Sequence, residues 1–131
     1  MPTNSERNLP HNPNWVPCAN KETDPNGKSL NEPGAKADAG KLRPSLILKD
    51  MANALLAVIK IATDGAIKYT PGGWIVVPEA EARYEDAHLR HMLKRFTGEK
   101  IDTDSHSLHL AHEAWNALAK LELHLRNANK A

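Results

Sequence analysis

The chain has 131 residues, nearly balanced acids and bases with a formal net charge of +1, and a single cysteine, Cys18. That length favours one domain with a small core, and the balanced charge excludes the basic footprint of a protein that binds nucleic acid directly. One cysteine excludes a disulfide framework and a CxxC zinc site, and its Pro/Asn-rich surroundings offer nothing that would make a reactive thiolate.

The N-terminus has no basic start followed by an apolar core, and no apolar run approaches the ~20 residues of a membrane span, so a cytoplasmic protein with no membrane partner is expected. Residues 1–33 carry most of the prolines and only Leu9, Trp15, Val16 and Leu30 as sizeable apolar side chains, which predicts an irregular arm. Trp15 has enough apolar surface to dock on the domain or on a neighbouring subunit. From Gly34 to Pro44 runs a loop with two glycines and the cations Lys36, Lys41 and Arg43. It reads either as a solvated linker or as backbone and charge for phosphate oxygens, though it lacks the P-loop spacing.

Leu48, Met51, Leu55, Val58, Ile59 and Ala62 then recur at helical spacing and predict a buried packing helix over 45–67. Lys68, Tyr69 and Trp74 follow on a glycine-rich loop, where the cation and the aromatics could hold a phosphate and a base, or Trp74 could cover the core. Pro78, the early Glu79 and Glu81, and the late Lys94, Arg95 and Gly98 predict a helix over about 78–97. Its wheel sets Ala82, Leu89, Met92, Leu93 and Phe96 on one face, with Tyr84, His88 and His91 opposite. Glu85 and Asp86 border the apolar face, where Arg90 is a neighbouring base for Asp86. Ser105 reads as the N-cap of a last helix through Leu108, Ala111, Trp115, Leu118, Leu121 and Leu125.

The chemistry is concentrated between Tyr84 and Asn116. His109, His112 and Asn116 share one stripe of the last helix with Glu113 one step round, a pattern that suits metal or phosphate binding, or else solvated histidines. Glu99, Asp102 and Asp104 in the connection are spaced as hard oxygen ligands. Imidazoles mixed with carboxylates favour a first-row divalent ion such as manganese over a purely oxygen-bound magnesium, and metal, basic loop and aromatics together suit a phosphorylated, base-bearing substrate.

The run Lys36-x-Asp38-x-Gly40-Lys41, Gly65-Ala66-x-Lys68-Tyr69 with Trp74, Arg90-His91, Gly98-Glu99-x-x-Asp102-x-Asp104-Ser105 and His109-x-x-His112 resembles the phage dATP/dGTP diphosphohydrolase N-terminal domain family. The resemblance covers Gly34 to about Leu125. It implies a relative of the MazG-like all-α pyrophosphohydrolases, which cleave nucleoside triphosphates to monophosphate and pyrophosphate with magnesium or manganese. The MazG-like EExxE segment is missing here, and His109-Leu110-Ala111-His112 stands in the place of ExxD, which implies either a changed metal preference or loss of the MazG-like metal site. His106 replaces a glycine common in similar sequences, and Gly73 an asparagine.

The expectation is therefore an all-α small bundle of about three main helices, with an irregular arm over 1–33 and a nucleotide pyrophosphohydrolase-like domain over 34–131. It would be a homodimer or higher oligomer that hydrolyses dATP and dGTP, in the host cytoplasm if phage-encoded. Glu99, Asp102, Asp104, His109 and His112 are the expected metal ligands, for Mn2+ or Mg2+ with Zn2+ or Co2+ as alternatives. His91, Glu99, Asp102 and His112 are the expected catalytic set. Lys36, Lys41, Lys68 and Arg90 would neutralise the triphosphate, Tyr69 and Trp74 would lie near the base, and Asn116 would orient a ligand or the sugar. The rival readings are an HD-like phosphohydrolase that releases triphosphate or phosphate, against which the chain has no His-Asp dipeptide, and a non-catalytic helical nucleotide-binding protein.

Overall fold

The computed structural model describes residues 22–130, so Trp15 and Cys18 lie outside the described residues. Of these, 22–50 form one unit and 51–130 another. The first unit is built from turns held by side chains in place of regular secondary structure, as its polar, Pro/Gly-rich composition requires. The buried Asp24 carboxylate accepts backbone N–H bonds from Asn26 at 2.7 Å and Lys36 at 2.8 Å. These bonds, the one from Lys36 foremost, hold its pKa below the usual carboxylate range. Lys41 pairs with Glu22 at 3.1 Å, and a single helical turn, α1 (Ser45–Leu48), ends the unit.

The second unit is all-α. It comprises α2 (Ala52–Lys68), a 3₁₀ turn (Gly73–Val76), α3 (Ala80–Phe96) and α4 (His109–Ala128), with α4 packed on both α2 and α3. The three principal helices of the sequence reading are present, and among the described residues β-pairing is limited to one isolated bridge, Ile101 with Leu108. No helix among them is long and apolar enough to cross a membrane.

Three details differ from expectation. The helix expected over 45–67 is interrupted at Lys49–Met51, around Asp50, a residue whose short acid side chain competes for backbone groups. It is also less buried than its periodicity suggests, because α2 turns only one side to α4: Ile61 is buried while Leu56 and Ile59 are exposed. The third concerns α3, whose packing face is reversed. Tyr84, His88, His91 and Arg95 meet α4, and the apolar Leu89, Leu93 and Phe96 point outward, the last two 63% and 65% exposed.

What joins α3 to α4 is the key to the site. α3 ends in a Schellman motif: Gly98 takes φ 100°, its N–H bonds to Arg95 O, and the Glu99 N–H reaches back to Lys94 O. The chain then doubles back through bonds from Asp102 N to Ser107 O at 2.8 Å and from His109 N to Lys100 O at 2.9 Å. Within that reversal His106 adopts a left-handed φ of 58°, which breaks the helical path from Ser105. Ser105 is therefore not the N-cap of α4, which starts four residues later behind Leu108.

The left-handed backbone is the reason a glycine suits position 106, since a Cβ there costs roughly 1–2 kcal/mol, partly offset by the unfolded-state entropy glycine adds. His106→Gly is expected to raise stability by about 0.5 kcal/mol in a urea titration. His106→Val is expected to lower it.

Candidate metal centre

The loop reversal and the α3/α4 seam bring three donors together. His91 from α3, Asp102 from the connection and His109 from the first turn of α4 each offer a ligand atom, and these atoms lie within 4.8 Å of one another. His109 is only 1% exposed, and its two ring nitrogens are both engaged. Nε2 is 3.0 Å from Glu99 Oε1, and Nδ1 is 2.9 Å from His91 Nδ1. Glu99 as a carboxylate can only accept, so His109 carries its proton on Nε2 and presents a lone pair at Nδ1. In that tautomer His91 Nδ1–H donates to it.

His112 lies against this trio without joining it. Its ring stacks on His91 at 4.2 Å with 5° between the planes, and its Nε2 is 2.6 Å from Ser105 Oγ and 3.9 Å from Asp102 Oδ2. The Ser105 backbone N–H donates to Asp102 Oδ2 at 2.9 Å. Burial pushes the Asp102 carboxyl up, but the bonds from Ser105 outweigh it and the pKa is lowered. Burial, with His112 and His109 alongside, holds the His91 imidazole down at about 4. Burial also lowers His112. His91 and His112 are thus neutral near pH 7, the protonation state a metal ligand needs. Two imidazoles and a carboxylate whose donor atoms lie within 4.8 Å of one another fit a divalent first-row ion.

Other site candidates fall elsewhere. Asp104 is exposed and outside the cluster, and Arg90, Lys68 and Tyr69 are also exposed, with the Lys68 ammonium 5.1 Å from the Tyr69 ring centre. Asn116 is buried and donates its amide to the His112 carbonyl at 2.8 Å. Trp74 packs edge-on against Tyr84 and Trp115, at 6.3 and 5.7 Å between ring centres, and its carbonyl accepts from the Tyr84 hydroxyl. Lys36 and Lys41 belong to the 22–50 unit.

Sequence reasoning missed the partners that sit across the seam. Arg95 grips the buried Glu113 through Nε at 2.8 Å and a second nitrogen at 3.0 Å. Lys120 reaches Glu85 at 2.6 Å and His88 at 2.9 Å, which gives both α3 residues a partner that helical spacing alone could not show.

A family profile described as dATP/dGTP diphosphohydrolase, N-terminal, matches residues 31–131. The chain belongs to that family. The match takes in both long helices and the connection that builds the His91, Asp102 and His109 cluster. No curated protein and no solved structure matches the chain.

Proposed function

We propose that the protein hydrolyses dATP and dGTP between the α and β phosphates, giving the deoxynucleoside monophosphate and pyrophosphate, with a divalent ion held at the α3/α4 seam. The observation that carries this is the convergence of His91, Asp102 and His109 within a chain that belongs to a dATP/dGTP diphosphohydrolase family. When bound, such an ion polarises a phosphoryl oxygen and makes water a better nucleophile at neutral pH.

The chain's own residues do the rest. Glu99 fixes the tautomer of His109 by accepting from Nε2–H, and Ser105 fixes Asp102 through its backbone N–H. The neutral His112, beside Asp102 and hydrogen-bonded to Ser105, can accept a proton from an attacking water that approaches the cluster. Lys68 and Arg90 are exposed cations suited to a triphosphate, and the sequence reading gives Lys36 and Lys41 the same role. Tyr69 and Trp74 remain the proposed base contacts, with Asn116 holding the His112 turn in place. We also keep residues 34–131 as the hydrolase domain and 1–33 as an arm before it.

A second copy of the chain fits this reading. The buried apolar side chains among the described residues are Ile61, Ala111, Ala119 and Leu123, which is little core for a domain of this size. Leu89, Leu93 and Phe96 at i, i+4 and i+7 form an outward stripe on α3 that a homo-oligomer would cover.

Ion-pair chromatography after incubation of each dNTP with manganese, magnesium or cobalt tests the reaction. Purine monophosphate with equimolar pyrophosphate is expected. Nucleoside with triphosphate would replace this reading by the HD-like one, and nucleotide binding without any product would leave a binding protein.

A further inference from the structure

We propose that the cation is taken by nitrogen at the seam and not by the acidic connection: His91 Nδ1, His109 Nδ1 and an Asp102 carboxylate oxygen are its ligands, while Glu99 is a positioning residue behind His109. The inference deepens the metal-dependent reading above and rests on it for the ion's purpose.

Glu99, Asp102 and Asp104 look alike in sequence, as three acids within six positions, yet the fold separates them. Glu99 leaves the Schellman turn of α3 and spends an oxygen on His109 Nε2 at 3.0 Å. A carboxylate on the far nitrogen of an imidazole keeps the near nitrogen unprotonated and makes it a stronger donor, an arrangement found behind many metal-bound histidines. Asp104 points to solvent. Only Asp102 is left within reach of both imidazoles.

The histidines are sorted in the same way. His112, at i+3 from His109, has its Nε2 on Ser105 Oγ at 2.6 Å, and the place it would fill beside His109 is taken by His91 from the other helix. The 2.9 Å between the two Nδ1 atoms is a hydrogen-bond length in the metal-free protein. It is also a separation at which both Nδ1 atoms could donate to one divalent ion. For His91 Nδ1 to serve as a ligand, its proton would have to sit on Nε2 instead, a tautomer reached by exchange with water that leaves the imidazole neutral. Two imidazoles with one carboxylate favour cobalt, nickel, iron or zinc, with manganese weaker and magnesium weakest.

Metal binding by the full chain, without nucleotide, is the test. Calorimetric titration with Co2+ alone, paired with the visible absorption of the bound ion, is expected to show one site that excess Mg2+ fails to displace. Glu99→Ala is expected to weaken Co2+ about 10–100-fold, and Glu99→Gln, whose carbonyl can still accept from Nε2–H, to recover part of that loss. Glu99→Ala leaves the buried His109 Nε2–H without its acceptor, so its metal-free melting temperature should fall while that of Glu99→Gln stays near the parent, and cobalt affinities are compared well below both melting temperatures. His91→Ala should abolish the cobalt absorption and Asp104→Ala should leave it unchanged. Loss of cobalt affinity in Asp104→Ala with retention in His91→Ala would overturn the assignment, as would equal affinity for Mg2+ and Co2+. Cobalt bound as described without any hydrolysis would leave the ligand assignment standing and remove the hydrolase reading. Hydrolysis with Mg2+ and no cobalt site would do the reverse.

Discussion

His109→Ala is expected to lower hydrolysis of dATP and dGTP by more than ~100-fold, a larger effect than the 10–100-fold typical of residues that only support a ligand. The side chain is 1% exposed and joins Glu99 to His91, so its removal takes a donor from the cluster and leaves both neighbours without the atom they bond. Because the position is buried, the same loss has to be shown where folding is less at stake. His91→Ala and Asp102→Asn, at half-buried positions, are expected to match it in turnover number while their circular dichroism stays that of the parent. Asp104→Asn, at an exposed position outside the cluster, is expected to retain most activity. Uniform modest losses across all four variants would mean that the cluster is structural and that the ion, if any, binds elsewhere.

The contrast between Asp102 and Asp104 marks how far the sequence could lead. Helix α4 was legible because apolar spacing over five turns leaves no other regular structure open, and the His109 and His112 stripe followed from it. The place of His91 in the cluster was less visible, because it needs the α3 face that carries Tyr84, His88 and His91 to pack inward. Periodicity names the apolar face of a helix but not the molecule that covers it, and here Leu93 and Phe96 turn away from α4. The start of α4 was misplaced at Ser105 because the histidine at position 106 does not itself announce a left-handed turn, and only the glycine common there in similar sequences hints at it. Partners such as Arg95 with Glu113, 18 residues apart, depend on the angle at which two helices return, which no local pattern encodes.

The strongest effect on stability is expected at that last pair. Glu113 is buried, its side chain 9% exposed, and it accepts two bonds from the Arg95 guanidinium, the bidentate geometry that makes such pairs specific. Glu113→Ala is expected to cost about 2 kcal/mol in urea unfolding, the scale for hydrogen bonds to a charged group. The loss should be larger than for either exposed i, i+4 pair, Lys60 with Asp64 or Arg126 with Glu122. The Arg95 bonds hold the Glu113 carboxyl below the usual glutamate range. A carboxyl depressed on folding contributes stability that is fully present above the unfolded value and disappears as pH falls through the folded one. The parent should therefore lose stability as pH falls through and below the ordinary glutamate range. Glu113→Gln, which keeps the shape but cannot titrate, should be less stable at pH 7 and show a shallower acid slope. Identical acid slopes for the parent and Glu113→Gln would mean that other carboxylates, Asp102 and Glu85 among them, carry the linkage. The pair would then hold α3 to α4 by shape and hydrogen bonding more than by charge.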